Sequence, residues 1–133
     1  MSDYCPIFYF LASWTKYHEA VKNMATNLHD ALAQGTLKFS DVLAYIEQKY
    51  HYQARAFRNG TLHNQQHENQ GSAKILSFAQ LEGLNEHDTL ALFAEHYQHV
   101  LTHPEGTEHQ NIRQFMQHGW QGVYFESLAL SKR

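Results

Sequence analysis

The placement of the helix-breaking residues constrains this chain more than any other feature of its sequence. The seven glycines fall at 35, 60, 71, 83, 106, 119 and 122, and the two prolines at 6 and 104. Between these marks, apolar residues recur at three- and four-residue steps, which lines one face of a helix. From Ile7 to Gln34 there is neither Gly nor Pro, and Leu11, Trp14, Tyr17, Val21, Leu28 and Leu32 form one stripe. Pro6 suits the first turn of this helix and Gly35 its end. A second helix is expected from Ser40, its cap, to about Tyr50, with Leu43, Ile46 and Tyr50 inward. A third is expected from Ser72 to Leu81. Asn85 caps a fourth, with Asp88 in a capping-box position, and Pro104 stops it. Its stripe is Leu90, Phe93, Ala94, Tyr97, Val100 and Leu101. Thr107 caps a fifth, which buries Ile112, Phe115 and Met116 and ends at Gly119.

Strand signals are few. Ala54 to Phe57 and Thr61 to His63 flank Asn59-Gly60, the favoured dipeptide of a tight type I′ hairpin turn. Val123 to Phe125 can add a strand. The polar segment from His63 to Gly71 reads as a loop. The expected architecture is mainly α (α+β): a five-helix domain with a small β-hairpin or short sheet.

Composition then excludes several function classes. With 133 residues and 14% aromatics the chain is one domain with a real core. Ten basic against thirteen acidic residues leave no electrostatic footprint for nucleic acid. Cys5, the one cysteine, makes neither an internal disulfide nor a Cys-based zinc site. The longest apolar run, Ile7 to Ala12, is far short of the roughly 20 residues that span a bilayer. Asp3 stands where a signal peptide carries positive charge. These points predict a soluble cytoplasmic protein with no membrane span. Phosphate loops, serine nucleophile elbows and zinc-protease motifs are absent from the sequence.

The eleven histidines raise the question of metal. His96, His99 and His103 point within about 60° of one another on a helix, opposite the Leu90–Phe93–Tyr97 stripe. His99 and His103 are the candidate pair for one ion. A solvated helix face made of His explains the same pattern, so no metal site and no cofactor are expected. Protonating all eleven would take the net charge from −3 to +8, so association is expected to change steeply as pH falls from 7.

A second constellation is polar. Asn59, Asn64, Asn69, Ser72 and Lys74 gather around the loop, and His109 and Arg113 (spacing i, i+4) can face them. Such residues form a ligand-binding rim, with Ser72 and Lys74 at a helix start favouring an anion. They also form ordinary loops, because Asn and Ser bond local backbone. If Lys74, His109 and Arg113 converge, a small enzyme becomes the alternative. If Lys74 and Arg113 are each tied to nearby carboxylates, that alternative fails.

These residues resemble a known family. Ala56-Phe57-Arg58-Asn59-Gly60, Asn64, Asn69-Gln70-Gly71-Ser72-Ala73-Lys74-Ile75 and Phe78-Ala79 are similar to the HopJ type III effector family. So are Pro104-Glu105-Gly106-Thr107, His109-Gln110-Asn111-Ile112-Arg113-Gln114-Phe115-Met116 and His118-Gly119-Trp120. The resemblance runs from about Thr26 to the C-terminus. It implies a protein of plant-pathogen type that is secreted into a host cell, and brings no catalytic residue or cofactor. His109 and His118 lie inside the resembling blocks, so these two histidines join the candidate ligand site. Ala73 stands where members often carry Cys, and Ala54-Arg55 where Pro-Thr is usual. The resemblance divides the chain into a helical N-terminal extension, 1–23, and a HopJ-like domain, 24–133. Pro6 to Val21 is aromatic and helix-patterned, unlike a Ser-rich secretion signal. Phe8, Phe10, Leu11 and Trp14 would leave an apolar patch unless they dock on the domain or form a homodimer. The expected function is binding of a protein or small ligand, with no enzymatic activity.

Overall fold

The structure is a computed structural model that describes residues 37–133. The expected helix from Ile7 to Gln34, the extension and its homodimer contact lie outside the described residues. The described chain runs α1 (Phe39–Lys49), β1 (Tyr50–Tyr52), β2 (Phe57–Asn59), β3 (Leu62–Asn64), α2 (Gln70–Glu82), α3 (Glu86–Ala91), α4 (Glu95–Thr102), α5 (Gln110–His118), a 3₁₀ turn (Gly119–Gly122), β4 (Val123–Tyr124) and β5 (Leu130–Lys132). Five helices and two small antiparallel sheets make the expected α+β fold. No helix among the described residues is long and apolar enough to cross a membrane.

The core is built around α2. Its residues 73 and 75–79 are all buried, so this helix is enclosed nearly all round. α1, α3 and β5 pack against it. Phe78 receives the rings of Tyr45 and Tyr50 edge-on, at centroid distances of 6.0 and 5.7 Å. The Ser77 hydroxyl, fully buried, accepts the Ala129 amide at 3.0 Å and locates the approach to β5. Leu81, expected to face inward, is 41% exposed, because the helix passes the edge of the core there.

The helix starts differ from expectation in instructive ways. α1 is held by Asp41, whose carboxylate accepts the Lys38 amide at 3.0 Å, rather than by Ser40. Asn85 caps α3 as expected, accepting the Asp88 amide at 2.8 Å. The expected single helix from Asn85 to His103 is broken. Leu92, Phe93 and Ala94 donate to carbonyls three residues back, and Ala94 then adopts φ 51, ψ −122. Leu90, Leu92 and Phe93 are all buried on the approach to this break. The break shifts the helical phase beyond Ala94, so Leu101 is 46% exposed while Val100 is buried.

The hairpin is displaced by one residue. Asn59 pairs with Leu62, so the turn is Gly60-Thr61 and Asn59 belongs to the strand. Gly60 takes φ 61, and its amide donates to Gly122 O at 2.9 Å. A side chain at Gly60 would strike Gln114 and His118 of α5. β4 adds to β2 on the other side. The sheet β1–β5, with Tyr50 opposite Lys132, carried no signal beyond its short alternating sequence.

The backbone at Ala94 matches the first central position of a type II′ turn, where Gly is favoured. Ala94→Gly is expected to stabilise the domain by about 1 kcal/mol in urea unfolding. An unchanged or lowered midpoint would contradict this reading of the break.

Candidate functional site

Two helices begin in the same place by the same device. α2 starts after Asn69 (φ 50, ψ 42) and α5 after His109 (φ 58, ψ 50). Both caps lie in the left-handed region, which Asn and His tolerate better than most residues. Thr107 was the expected cap of α5. The chain turns at His109 instead, and Gln110 Nε2 donates to Thr107 O at 2.7 Å. Both helix starts border one cavity of about 520 Å³. Its apolar wall is Phe39, Leu62, Phe93 and Ile112, and its polar lining is Asn69, Ser72, His96, His109, Gln110 and Asn111.

Beneath the cavity lies a network of buried amides. Asn111 Oδ1 accepts from Asn59 Nδ2 at 3.0 Å and from Asn64 Nδ2 at 3.2 Å. Asn111 Nδ2 donates to Asn64 Oδ1 at 3.0 Å, which also accepts Asn69 Nδ2 at 2.7 Å. Asn59 Nδ2 reaches Asn111 O at 2.8 Å as well. Asn59, Asn64 and Asn111 are each at most 5% exposed. Asn59 and Asn64 are thus braces that position the lining, and Asn69 belongs to both brace and lining. Asn111 was not singled out from sequence. Its signal was the step of four to Phe115, which places a polar residue on the inward stripe of α5.

The remaining candidates do not converge. Lys74 pairs with Glu47 at 3.0 Å and lies over the Tyr52 ring at 4.4 Å. Arg113 ties the preceding loop together. Its Nε donates to Glu108 O at 2.6 Å, its Nη1 to Pro104 O at 3.4 Å, and its Nη2 lies 3.6 Å from Glu108 Oε1. Each cation therefore has its own carboxylate, the outcome that disfavours an enzyme built from Lys74, His109 and Arg113. His118 is exposed beside the hairpin turn and does not line the cavity.

The histidines form a ladder along α4. His99 and His103 stack face to face, with centroids 4.2 Å apart and planes at 17°. Their nitrogens therefore lie in near-parallel planes and do not aim at a common ion, and His103 Nδ1 sits 2.9 Å from His99 O. Among the described residues no group of three His, Cys, Asp or Glu is placed to hold a metal. His96, expected on the solvent face, turns inward because the break at Ala94 shifts its phase. Its ring meets Phe39 at 4.8 Å and His109 at 4.9 Å. His99 meets His109 edge-on at 5.4 Å. Burial pushes the His109 pKa below the usual imidazole value, His96, His99 and Arg113 push it further, and Glu108 partly offsets them. Burial pushes the Glu95 carboxyl up, but the Phe39 amide, its own amide, His96 and Lys38 outweigh this and hold it low.

Residues 21–130 match the HopJ type III effector protein family. The chain belongs to that family. A solved crystal structure, titled as that of the unknown function protein VPA0580, is 44% identical to this HopJ-family chain, with a TM-score of 0.74. The match covers 78% of this chain and 89% of that one. No curated protein matches.

The geometry leads to two expected outcomes. Asn111→Ala removes three buried hydrogen bonds to Asn59 and Asn64 and opens a small void, so a loss of about 3 kcal/mol is expected in urea unfolding. A loss below 1 kcal/mol would show that the network is not the brace described here. His109 binds its proton less readily folded than unfolded, so the unfolded chain gains protons first on acidification. Stability is therefore full above the free imidazole pKa of about 6.5, and falls as pH drops from there through the lower folded value. His109→Asn should flatten that part of a melting-temperature profile. An unaltered profile would remove His109 as the cause.

Proposed function

We propose that this HopJ-family domain acts by binding a small ligand, without enzymatic chemistry, in the cavity between α1, α2, α4 and α5. The observation that carries the reading is the cavity itself. About 520 Å³ is a usual size for a small-molecule site, and an apolar wall with a few polar groups is its usual lining. Asn69, Ser72 and His109, three of the residues chosen from sequence, border it. The separate ion pairs of Lys74 and Arg113 support binding over catalysis, since no cation is left to polarise a bound substrate among these two. The family's effector label supports action in a host cell after export from the bacterial cytoplasm. The N-terminal residues 1–23 are a further element in this proposal, with self-association through their apolar face.

A thermal-shift screen of small organic compounds tests the reading. Compounds that stabilise the natural chain should lose their effect on Ser72→Trp, which fills the cavity from the half-buried first turn of α2. Circular dichroism would establish that the variant folds. Full retention of the shift in a folded Ser72→Trp protein would place the ligand elsewhere and sink the proposal.

A further inference from the structure

The charges around the cavity are arranged in two layers. Among the lining residues there is no Asp, Glu, Lys or Arg, and the two imidazoles present are those of His96 and His109. The fixed charges lie behind them and are already engaged. Glu108 is shared by Arg113 and by His99, whose Nε2 lies 3.8 Å from its Oε1. Glu95 on α4 accepts the Phe39 amide at 2.7 Å, with Lys38 nearby. His103 stacks on the far side of His99. From α2 the lining receives Ser72 and Gly71, and from β3 Leu62, none of them charged. The cavity is therefore neutral with both imidazoles unprotonated, and positive once either takes a proton.

The walls add shape to this charge. Phe39 and Phe93 stack with planes at 13°, and Ile112 stands among the same lining residues. The stacked pair, with centroids 6.1 Å apart, lines the cavity as one apolar aromatic surface against which a ligand ring can pack from outside. The His96 and His109 rings are 4.9 Å apart and both line the cavity, so the two imidazoles are close enough to face one small anion. The first turns of α2 and α5, with their positive dipole ends, border the same space.

We propose that the cavity binds a small aromatic carboxylate, with its ring against Phe39 and Phe93 and its charge at His96 and His109, and that acid strengthens the binding. The proposal rests on the ligand-binding reading and specifies its chemistry. His109 is held neutral by its burial and its histidine neighbours, and a bound anion reverses that balance. Binding therefore draws in a proton. By linkage, affinity climbs as pH falls through the window in which the free protein is unprotonated and the complex protonated.

The test is a pair of titrations of the full chain followed by ¹⁵N–¹H NMR, one with benzoate and one with benzyl alcohol. Each is run at about pH 8 and about pH 5.5, where a carboxyl with pKa near 4 stays ionised. Benzoate is expected to move the Phe39, Ser72, His96 and His109 signals, with affinity about tenfold higher at the lower pH. Benzyl alcohol is expected to bind weakly and equally at both. In His109→Asn, chosen because Asn tolerates the backbone at φ 58, most of the benzoate gain should disappear while the benzyl alcohol response stays. His96→Gln repeats the test at the second ring. Benzoate and benzyl alcohol binding alike at both pH values would overturn the anion proposal and leave the ligand-binding reading standing. Cavity signals unmoved by either probe at either pH would overturn the anion proposal and count against the cavity as a site.

Discussion

The side chain of Asn111 joins pieces of chain that sequence separates widely. It holds Asn59 of β2 and Asn64 of β3 against the start of α5, and through Asn64 it reaches Asn69 at the start of α2. A planar amide with two donors and a two-lone-pair acceptor suits this role, because it bonds several directions at once without a net charge. A carboxylate here would bring a buried charge, and an apolar residue would leave its partners unpaired. The hairpin and two helix starts are thereby fixed relative to one another to hydrogen-bond precision.

The cavity is a consequence of that fixation. Two helices that begin side by side with left-handed caps cannot fill the space between their first turns, since each chain enters sharply from one side. The break at Ala94 supplies the remaining wall. It turns His96 towards His109. A continuous fourth helix would have placed His96 in solvent and left the cavity open on that side.

Much of the fold was legible in the sequence. α1, α2 and α5 follow from apolar spacing, and the hairpin β2–β3 from the Asn59-Gly60 turn signal. Asn85 announced α3 by capping chemistry. The features that escaped were decided by tertiary packing. The break at Ala94 is a single-residue change of backbone, φ 51 and ψ −122, and periodicity over the whole stretch averages such a break away. The one-residue shift of the hairpin follows from Gly60 approaching Gly122, a contact across 62 positions of chain that Asn59-Gly60 cannot foretell. Around the site, the loop asparagines were visible as a group, and their division into brace and lining was not. That division depends on Asn111, which reads as an ordinary helix residue until Phe115 shows which face is inward. Lys74 looked like a ligand group because its partner, Glu47, lies on α1, whereas Glu108, five residues before Arg113, was a carboxylate within reach in the sequence itself.

The pairing of β1 with β5 has a bearing on how the chain is made. Tyr50 waits for Lys132, and the buried hydroxyl of Ser77 waits for the amide of Ala129. Both partners come after every described helix in the order of synthesis. The helices that precede them can form early, since their contacts are local, but the last stitch closes a loop that spans most of the described chain. Until then the central helix keeps one apolar side uncovered. A chain without β5 therefore lacks the cover over one side of α2, and transiently exposed apolar surface of that kind favours aggregation.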